Sequence, residues 1–486
     1  MAHFASYLPD WKFSLIIQDG IAGATFMLTS LRIQNFKAWK DTGLTPLAPL
    51  TVLFGANSSG KSSLGHLLLA LKQTAMSTDR RSPLQLGDDR SLVELGTFQE
   101  CLHNHDLAQS LNFELGWRPD EPLAVSDPLA ARPLQGDELQ LEVSLAADKN
   151  AQPRVARLAY TLCDAGTPQM RLSYERNEAG QPSLQSEGYV LKRSAGRDWP
   201  LQEPDKFYRL SDRSRTLYEN AGFVSDFALA TEAMLHGIHH LGPLRDSPRR
   251  LYVWPGDTPE DVGQRGERTI AAMLAATQQG RHIAAGPEQE GRRFDACIAY
   301  WLQRLGIISS FAIRPIAEGR KEYEVMVRTH PQANEVKITD VGFGVSQILP
   351  ALVQAFYCPR NATVWMEQPE VHLHSQVQAE LADALIAAVQ AHEQGQPRNV
   401  QIIVESHSEH MLNRLQRRIA EGKIAPEDVA VYFCRRSETS SELEPLRLNA
   451  YGEIENWPEH FFGDEMADIA ARTRAAMLRR KQDRQA

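Results

Sequence analysis

A short stretch rich in glycine and serine has the residue types and spacing to hold a row of phosphates. Residues 54–62 read FGANSSGKS and fit the pattern G-x-x-x-x-G-K-[ST] at every fixed position. Glycines let the backbone curl so that successive N–H groups point at one phosphate group, and Lys61 reaches the outer phosphates. We therefore predict a site for a nucleoside triphosphate. Its predicted contacts are Asn57, Ser58, Ser59, Gly60, Lys61, Ser62 and Ser63.

The residues on either side of this loop predict the two elements that a phosphate loop needs. An apolar run at 50–54 is typical of a strand, and residues 63–71 are typical of a helix. The N-terminus of such a helix carries a partial positive charge that attracts phosphate. The Ser62 hydroxyl is the expected ligand for Mg²⁺. A nucleoside triphosphate and Mg²⁺ are therefore the predicted cofactors, and the family resemblance described below makes the nucleotide ATP.

An acidic residue is expected to share this metal, at the end of a neighbouring apolar strand. Residues 363–366 predict such a strand, and Glu367 follows it at once. We assign Glu367 to the Mg²⁺ shell, either directly or through a water molecule.

The rest of the chain predicts an α/β fold. Between about residues 87 and 215, short alternating apolar and polar runs are separated by Gly, Pro, Asp or Asn, which predicts an inserted antiparallel sheet. In the last third, from residue 346 to 433, helical and strand patterns alternate. Such alternation predicts a parallel sheet with covering helices, to which the phosphate-loop strand must also belong.

The composition excludes several classes of protein. With 486 residues and 42% hydrophobic content the chain can bury a large core. A net charge of −9, from 52 basic and 61 acidic residues, leaves DNA binding to a local basic patch. Five separated cysteines without a C-x-x-C pair indicate free thiols in a reducing compartment and no zinc site. No apolar run spans a membrane and no signal peptide is visible, so we expect a cytoplasmic protein.

Three further motifs, taken with the phosphate loop, resemble ABC-type ATPases of the SMC-like, recombination-factor-like and overcoming-lysogenization-defect-like branch. Residues 340–347 (DVGFGVSQ) resemble its degenerate signature loop, 367–374 (EQPEVHLH) its Walker B and D-loop run, and 406–410 (SHSEH) its switch-histidine loop. The four motifs occur in the family's order. Residues 451–466 resemble an uncharacterised C-terminal domain found on many bacterial AAA family ATPases.

This resemblance implies a P-loop ABC-type ATPase head with a mixed sheet, an inserted antiparallel β region, a helical subdomain and a small C-terminal α+β tail. The corresponding divisions are an N-terminal extension (1–26), an ATPase N-lobe (27–100), the inserted antiparallel region (101–225), a helical and mixed segment (226–310), an ATPase C-lobe (311–421) and a C-terminal domain (422–486).

The resemblance also implies an assembly. In this branch the signature loop of one subunit closes on the nucleotide held by the other, which implies a head-to-tail homodimer or a higher oligomer. Gly342, Gly344 and Ser346 would then contact the partner's nucleotide. His407 would act in catalysis by sensing the γ-phosphate, and Gln99 occupies the place of a family loop that touches Mg²⁺.

One position departs from the family pattern. Most of this branch has a second glutamate after the Walker B acid as general base, and this chain has Gln368 there. Because an amide cannot accept the proton, hydrolysis is expected to be slow or to use another carboxylate, with Glu370 the nearest candidate. The alternative is that Gln368 orients the attacking water, as a glutamine can.

The leading functional hypothesis is an ATP-dependent dimeric switch that controls a partner effector, such as a nuclease or toxin, or DNA engagement. The resemblance places it among bacterial anti-phage defence systems of the Septu kind. The alternative is an SMC-like or RecF-like DNA-repair ATPase that clamps DNA, although the chain shows no long coiled coil. Arg245, Arg249 and Arg250 could bind phosphate of nucleotide or DNA, or form a solvated basic turn. Residues 472–481 predict a basic helix that could contact DNA or a partner.

Overall fold

The fold was examined in a computed structural model, which describes residues 28–126, 133–176, 180–287 and 289–458. Within these residues the strands are β1 (Leu28–Phe36), β2 (Trp39–Asp41), β3 (Thr45–Pro46), β4 (Leu50–Gly55), β5 (Leu111–Trp117), β6 (Leu123–Val125), β7 (Leu134–Gly136), β8 (Glu138–Ala147), β9 (Pro153–Asp164), β10 (Thr167–Arg176), β11 (Pro182–Glu187), β12 (Ile238–Leu241), β13 (Tyr252–Val253), β14 (His282–Ala284), β15 (Arg292–Arg293), β16 (Ser310–Pro315), β17 (Glu322–Arg328), β18 (Val336–Lys337), β19 (Thr363–Glu367), β20 (His392–Glu393), β21 (Gln396–Pro397), β22 (Gln401–Ser406), β23 (Val429–Arg436) and β24 (Ser441–Leu446).

The α-helices of the same residues are α1 (Lys61–Met76), α2 (Phe98–Cys101), α3 (Asp212–Arg215), α4 (Phe223–His236), α5 (Thr269–Gln278), α6 (Phe294–Arg304), α7 (Phe343–Tyr357), α8 (Ser375–Val389) and α9 (Glu409–Ala420). The N-terminal extension 1–26, the end of the C-terminal motif and the basic helix predicted at 472–481 lie outside the described residues. No helix in the described part of the chain is both long and apolar enough to cross a membrane.

One 14-stranded sheet organises the molecule, in the order β11-β10-β9-β8-β5-β1-β2-β24-β23-β4-β22-β19-β12, with β3 paired to β1. Five neighbouring strands, β23, β4, β22, β19 and β12, run parallel to one another. Strands β4, β19 and β22 are buried along almost their whole length, as continuous apolar strands of a covered parallel sheet should be. The prediction that the phosphate-loop strand belongs to the parallel sheet is confirmed.

The antiparallel strands predicted between residues 87 and 215 are also confirmed, and they extend the main sheet. Strands β5, β8, β9, β10 and β11 pair antiparallel in succession. Strand β1 joins β5 on one side and β2 on the other. The bridge to the parallel half is narrow, because β2 pairs with β24 only at Trp39 and Ser441. The sheet is therefore mixed, and together with its helices it makes the fold α/β.

The sheet separates two hydrophobic cores. Val364, Met366 and Val404 point to the core that includes helices α5 to α8. Trp365 and Ile403, one residue along on the same strands, point to the core that includes helices α1 and α4. This alternation is the period of two that a strand imposes on its side chains.

Two helix predictions differ from the structure. The pattern over 265–306 predicts one helical region, but α5 ends before Gly280, at φ +64°, and the hairpin β14–β15 separates it from α6. The helix predicted from residue 346 begins at Phe343, because Gly342 is still extended and serves as its N-cap. Part of the predicted signature loop is therefore the first turn of α7. The predicted free thiols are confirmed, since all five cysteines are buried and unbridged.

Candidate functional site

The phosphate loop joins β4 to α1 as the sequence predicts. Ser58 and Gly60 take left-handed backbone conformations, with φ of +60° and +93°. Lys61 is 5% exposed, and its Nζ donates to the carbonyl oxygens of Gly55 at 2.9 Å and Ala56 at 2.8 Å. Burial lowers the pKa of Lys61, against the opposing effect of nearby acidic groups. The ammonium group is thus folded over the loop, where phosphates would bind.

Gly60 is required at its position for two reasons. Its positive φ strains any side chain, and a Cβ there would meet the Trp39 ring at 3.0 Å. The indole Nε1 of Trp39 donates to the Gly60 carbonyl at 3.0 Å and to Ser63 Oγ at 2.9 Å. Trp39, on strand β2, therefore supports the phosphate loop through these two hydrogen bonds. The sequence pattern did not indicate this contact.

A carboxyl group that the sequence patterns did not predict lies against Ser62, the predicted metal ligand. Ser62 Oγ donates to Glu405 Oε2 at 2.7 Å, and Trp365 Nε1 donates to Oε1 at 2.8 Å. Glu405 is fully buried, and burial, helped by the charge of Glu367, raises its pKa to about 8. The available signal was an acidic residue at the end of an apolar strand, two residues before His407.

Glu367 stands beside Glu405 in the adjacent strand, in register with it. Its Oε1 is 2.8 Å from His240 Nε2 and 3.9 Å from His66 Nε2. Burial alone would raise the pKa of Glu367, but the hydrogen bond and the charges of the two histidines lower it. The pKa values of the two neighbouring carboxyl groups are therefore shifted in opposite directions. At neutral pH Glu367 is ionised and Glu405 is protonated.

These oxygen donors suit Mg²⁺. The Ser62 hydroxyl and the carboxyl groups of Glu367 and Glu405 are hard ligands of the kind that Mg²⁺ prefers. Gln99, the other predicted metal contact, is exposed, and its Nε2 donates to the His105 carbonyl at 3.3 Å. Among the contacts of the described residues, none joins Gln99 to Ser62 or Glu367. Its metal contact remains a prediction.

Glu370 ties the Walker B loop to the switch loop. Its Oε1 accepts from Ser406 Oγ at 2.7 Å and from the His407 amide at 2.8 Å. The side chain is 4% exposed, and burial raises its pKa. The His407 ring is half-buried, and burial and the nearby charge of Lys61 lower its pKa. We therefore expect a neutral imidazole when no nucleotide is bound.

Gln368 has a strained backbone. Its φ is +44°, a conformation that costs a residue with a Cβ roughly 1–3 kcal/mol. Its backbone amide donates to the Glu405 carbonyl at 2.8 Å, which ties the end of β19 to the neighbouring strand β22. This bond helps to hold the strained conformation after β19.

The signature residues lie at the start of helix α7. Gly342 precedes α7, Gly344 lies in its first turn, and Ser346 is 7% exposed. Their predicted contact with a partner's nucleotide remains a prediction.

Several buried polar atoms converge on the site without a hydrogen-bond partner in the described part of the chain. They are Ser59 Oγ, His240 Nδ1, Arg245 Nε and Nη1, Glu370 Oε2 and His407 Nε2. Native structures leave few buried polar groups unpaired, and clusters of them mark places where a polar ligand binds. The convergence supports a phosphate-bearing ligand at the loop.

One part of this site lies in a region that matches a known family. Residues 302–412 match the family model of an AAA ATPase domain. The match includes Glu367, Gln368 and His407, and the phosphate loop lies outside it. Residues 424–471 match the model of a protein family of unknown function, DUF3696, as the resemblance at the C-terminus predicted. A comparison with curated proteins gave no match.

Solved structures show remote similarity to the chain. An SMC head bound to the C-terminal winged-helix domain of ScpA is 14% identical, with a TM-score of 0.38, over 87% of this chain and 98% of that one. The SMC head domain from Thermotoga maritima is 11% identical, with a TM-score of 0.38, over 86% and 99%. An SMC head derived from Pyrococcus furiosus, with an extended coiled coil and bound to the C-terminal domain of ScpA, is 12% identical, with a TM-score of 0.39, over 87% and 96%.

Proposed function

We propose that this ATP-binding ATPase is a nucleotide-dependent dimeric switch that hydrolyses ATP slowly and controls a partner effector or DNA engagement. The observation that carries the proposal is the hydrogen bond of Ser62 to Glu405, beside Glu367, at one edge of five parallel strands. Ligands of open α/β sheets bind at this edge. A phosphate loop with hard oxygen donors around its serine is suited to ATP with Mg²⁺.

Each predicted site residue would have a separate role when the nucleotide binds. Lys61 would exchange its two carbonyl contacts for the outer phosphates, and Ser62 and Glu367 would hold the metal. Bound Mg²⁺ neutralises charge that develops on the phosphates. His407, with Nε2 unpaired among the described residues, would donate to the γ-phosphate once protonated or in the matching tautomer.

Slow hydrolysis is expected from the acid–base groups at the site. Gln368 cannot accept a proton, burial raises the pKa of Glu370, and burial raises the pKa of Glu405 to about 8. Burial therefore makes both of the nearest carboxyl groups harder to ionise before the nucleotide binds. This favours a protein that holds ATP over one that turns it over quickly.

We expect Gln368→Glu to raise the rate of ATP hydrolysis by about tenfold or more, because it restores a carboxylate next to Glu367. The rate of phosphate release under saturating ATP and Mg²⁺ measures this. Gln152→Glu, exposed in the turn between β8 and β9, is a control with the same change of side chain. An unchanged rate in Gln368→Glu would show that another base already serves.

ATP-dependent dimerisation is the central test of the switch. In the family that the motifs resemble, the signature residues of a second copy close on the nucleotide, and we propose the dimer on that resemblance. We expect a non-hydrolysable ATP analogue with Mg²⁺ to double the mass measured by light scattering, and ADP to leave it unchanged. A mass that is the same with the ATP analogue, with ADP and without nucleotide would contradict the switch.

The biological role is proposed from the resemblance alone. It suggests a nuclease or toxin as the partner effector and anti-phage defence of the Septu kind in the cytoplasm. The test is phage infection of cells that carry the gene with its neighbouring genes. Protection by the wild type that is lost in Lys61→Ala would support the role, and equal infection of both would oppose it.

A further inference from the structure

We propose that Arg245 binds the terminal phosphate of the nucleotide and that residues 245–252, the connecting segment, carry this contact to the start of helix α7 in the same chain. The proposal deepens the proposed function and rests on it, because it requires a nucleotide at the phosphate loop. The sequence marked this basic turn only as a phosphate site or a solvated turn.

The topology brings Arg245 to the ATPase site. Strand β12 runs parallel to β19, with Leu241 opposite Met366, so both strands end at the same edge of the sheet. Glu367 ends one strand, and Arg245 follows the other by four residues. The Arg245 Nη2 donates to the Glu367 carbonyl oxygen at 3.3 Å. This guanidinium group therefore stands at the edge where the predicted metal and phosphates would bind.

The guanidinium group has binding capacity that the chain does not use. Its Nε and Nη1 are buried without a hydrogen-bond partner among the described residues. Burial lowers the pKa of Arg245 to about 10, against the effect of Glu367 and Glu370, so it remains charged at neutral pH. A guanidinium group that only stabilised the fold would be expected to pair with Glu370, whose Oε2 is also unpaired in this part of the chain. A planar cation with unused N–H groups is suited to a phosphate.

The connecting segment links this residue to the signature region. Arg250 Nη2 lies 3.0 Å from Asp340 Oδ1, at the first residue of the signature motif. Asp246 pairs with Arg265 at 3.0 Å, and the Arg249 amide donates to the Tyr252 hydroxyl at 2.9 Å. The segment is thus held by ion pairs on both sides of its turn.

The segment also forms one wall of a groove next to the signature serine. Asp246, Arg249 and Tyr252 line this groove from one side, and Ser346 and Pro350 of α7 line it from the other. At its far end Tyr252 begins β13, which pairs with β17 opposite Tyr323. Because strands anchor both ends, a shift of Arg245 toward a phosphate would move the wall beside Ser346. In a head-to-tail dimer, the nucleotide bound by one subunit would then change the position of that subunit's own signature residues. These are the residues that the subunit presents to its partner.

The first test measures nucleotide affinity of the full chain for a non-hydrolysable ATP analogue and for ADP, both with Mg²⁺. We expect Arg245→Gln to weaken binding of the triphosphate analogue by about tenfold or more and to change ADP binding by less than about twofold. Arg245→Lys, which keeps the charge without the planar fork, should lose less. Arg193→Gln is the matched control, because Arg193 is exposed in the loop after β11, outside the connecting segment, and this variant should bind both nucleotides as the wild type does.

The second test follows hydrogen exchange of residues 338–346. We expect the ATP analogue to slow exchange there in the wild type and in Arg193→Gln, and to have no such effect in Arg250→Gln at saturating analogue. The affinity of Arg250→Gln for the analogue should stay within about twofold of the wild type. Protection that persists in Arg250→Gln would overturn the link to helix α7.

The outcomes separate this inference from the proposed function. An equal loss of analogue and ADP binding in Arg245→Gln, or no loss, overturns the inference and leaves the ATPase switch standing. A wild type that binds neither nucleotide, or a Lys61→Ala variant that binds as the wild type does, overturns both. Thermal unfolding of each variant checks that it folds, and Arg245→Lys decides the result if Arg245→Gln does not fold.

Discussion

Lys61→Ala is expected to weaken ATP binding by about 100-fold or more and to abolish turnover. The Lys61 ammonium is buried within the phosphate loop, where a charge-assisted contact to phosphate is worth about 2–3 kcal/mol or more. Alanine removes the only side-chain cation that the loop itself carries. Isothermal titration with a non-hydrolysable ATP analogue and Mg²⁺ measures the affinity, and phosphate release measures turnover.

The matched control for this variant is Lys149→Ala. Lys149 is exposed in the turn between β8 and β9, far along the sheet from the phosphate loop. The Lys149→Ala variant should bind the ATP analogue as the wild type does. If Lys61→Ala still hydrolyses ATP at the wild-type rate, the assignment of the site to residues 54–62 is wrong.

Glu405→Gln is expected to make the nucleotide-free protein more stable at pH 8 and less active. Burial raises the pKa of Glu405 to about 8 from an ordinary 4.5, so the folded state holds this proton more tightly than the unfolded chain. Its stabilising contribution is complete below about pH 4.5 and is lost as the pH rises through about 8. At pH 8 to 9 the loss amounts to about 2–5 kcal/mol.

Glutamine keeps the shape of Glu405 and cannot ionise. The oxygen of its side-chain amide can still accept a hydrogen bond from Trp365 Nε1, and the amide remains in contact with the Ser62 hydroxyl. Urea unfolding at pH 5, 6.5 and 8 should therefore show a falling free energy of unfolding in the wild type and a flatter one in the variant. Turnover should drop by about tenfold or more, because Ser62, the predicted metal ligand, then contacts an amide that cannot become a carboxylate.

Glu94→Gln provides the comparison for this charge change. Glu94 is exposed, and its replacement should follow the wild type in both measurements. The free energy of unfolding of the wild type and of Glu405→Gln could also change with pH by the same amount. That result would show that Glu405 does not hold its proton in the folded protein. Unchanged turnover in Glu405→Gln would show that Ser62 and Glu367 suffice for the metal.

The sequence predicted those features that depend on neighbouring residues. The phosphate loop follows from Gly60, Lys61 and Ser62 at fixed spacing, and its strand and helix follow from local apolar patterns. Glu367 was predicted because a metal-binding acid belongs at the end of an apolar strand. Each of these arguments uses only a few consecutive residues, whose side-chain periodicity is a local property of the backbone.

The tertiary structure alone decided which distant residues complete the site. Glu405 is 343 positions from Ser62, and Arg245 is 122 positions from Glu367, yet hydrogen bonds join both pairs. Strand order sets these distances, and periodicity within a strand carries no information about which strand lies beside it. For the same reason the sequence did not predict that β1 and β2 join the antiparallel region to the parallel sheet. What the sequence determined by itself was the loop that would hold the phosphates; the packing of β22 and β12 beside β19 decided which buried groups face them.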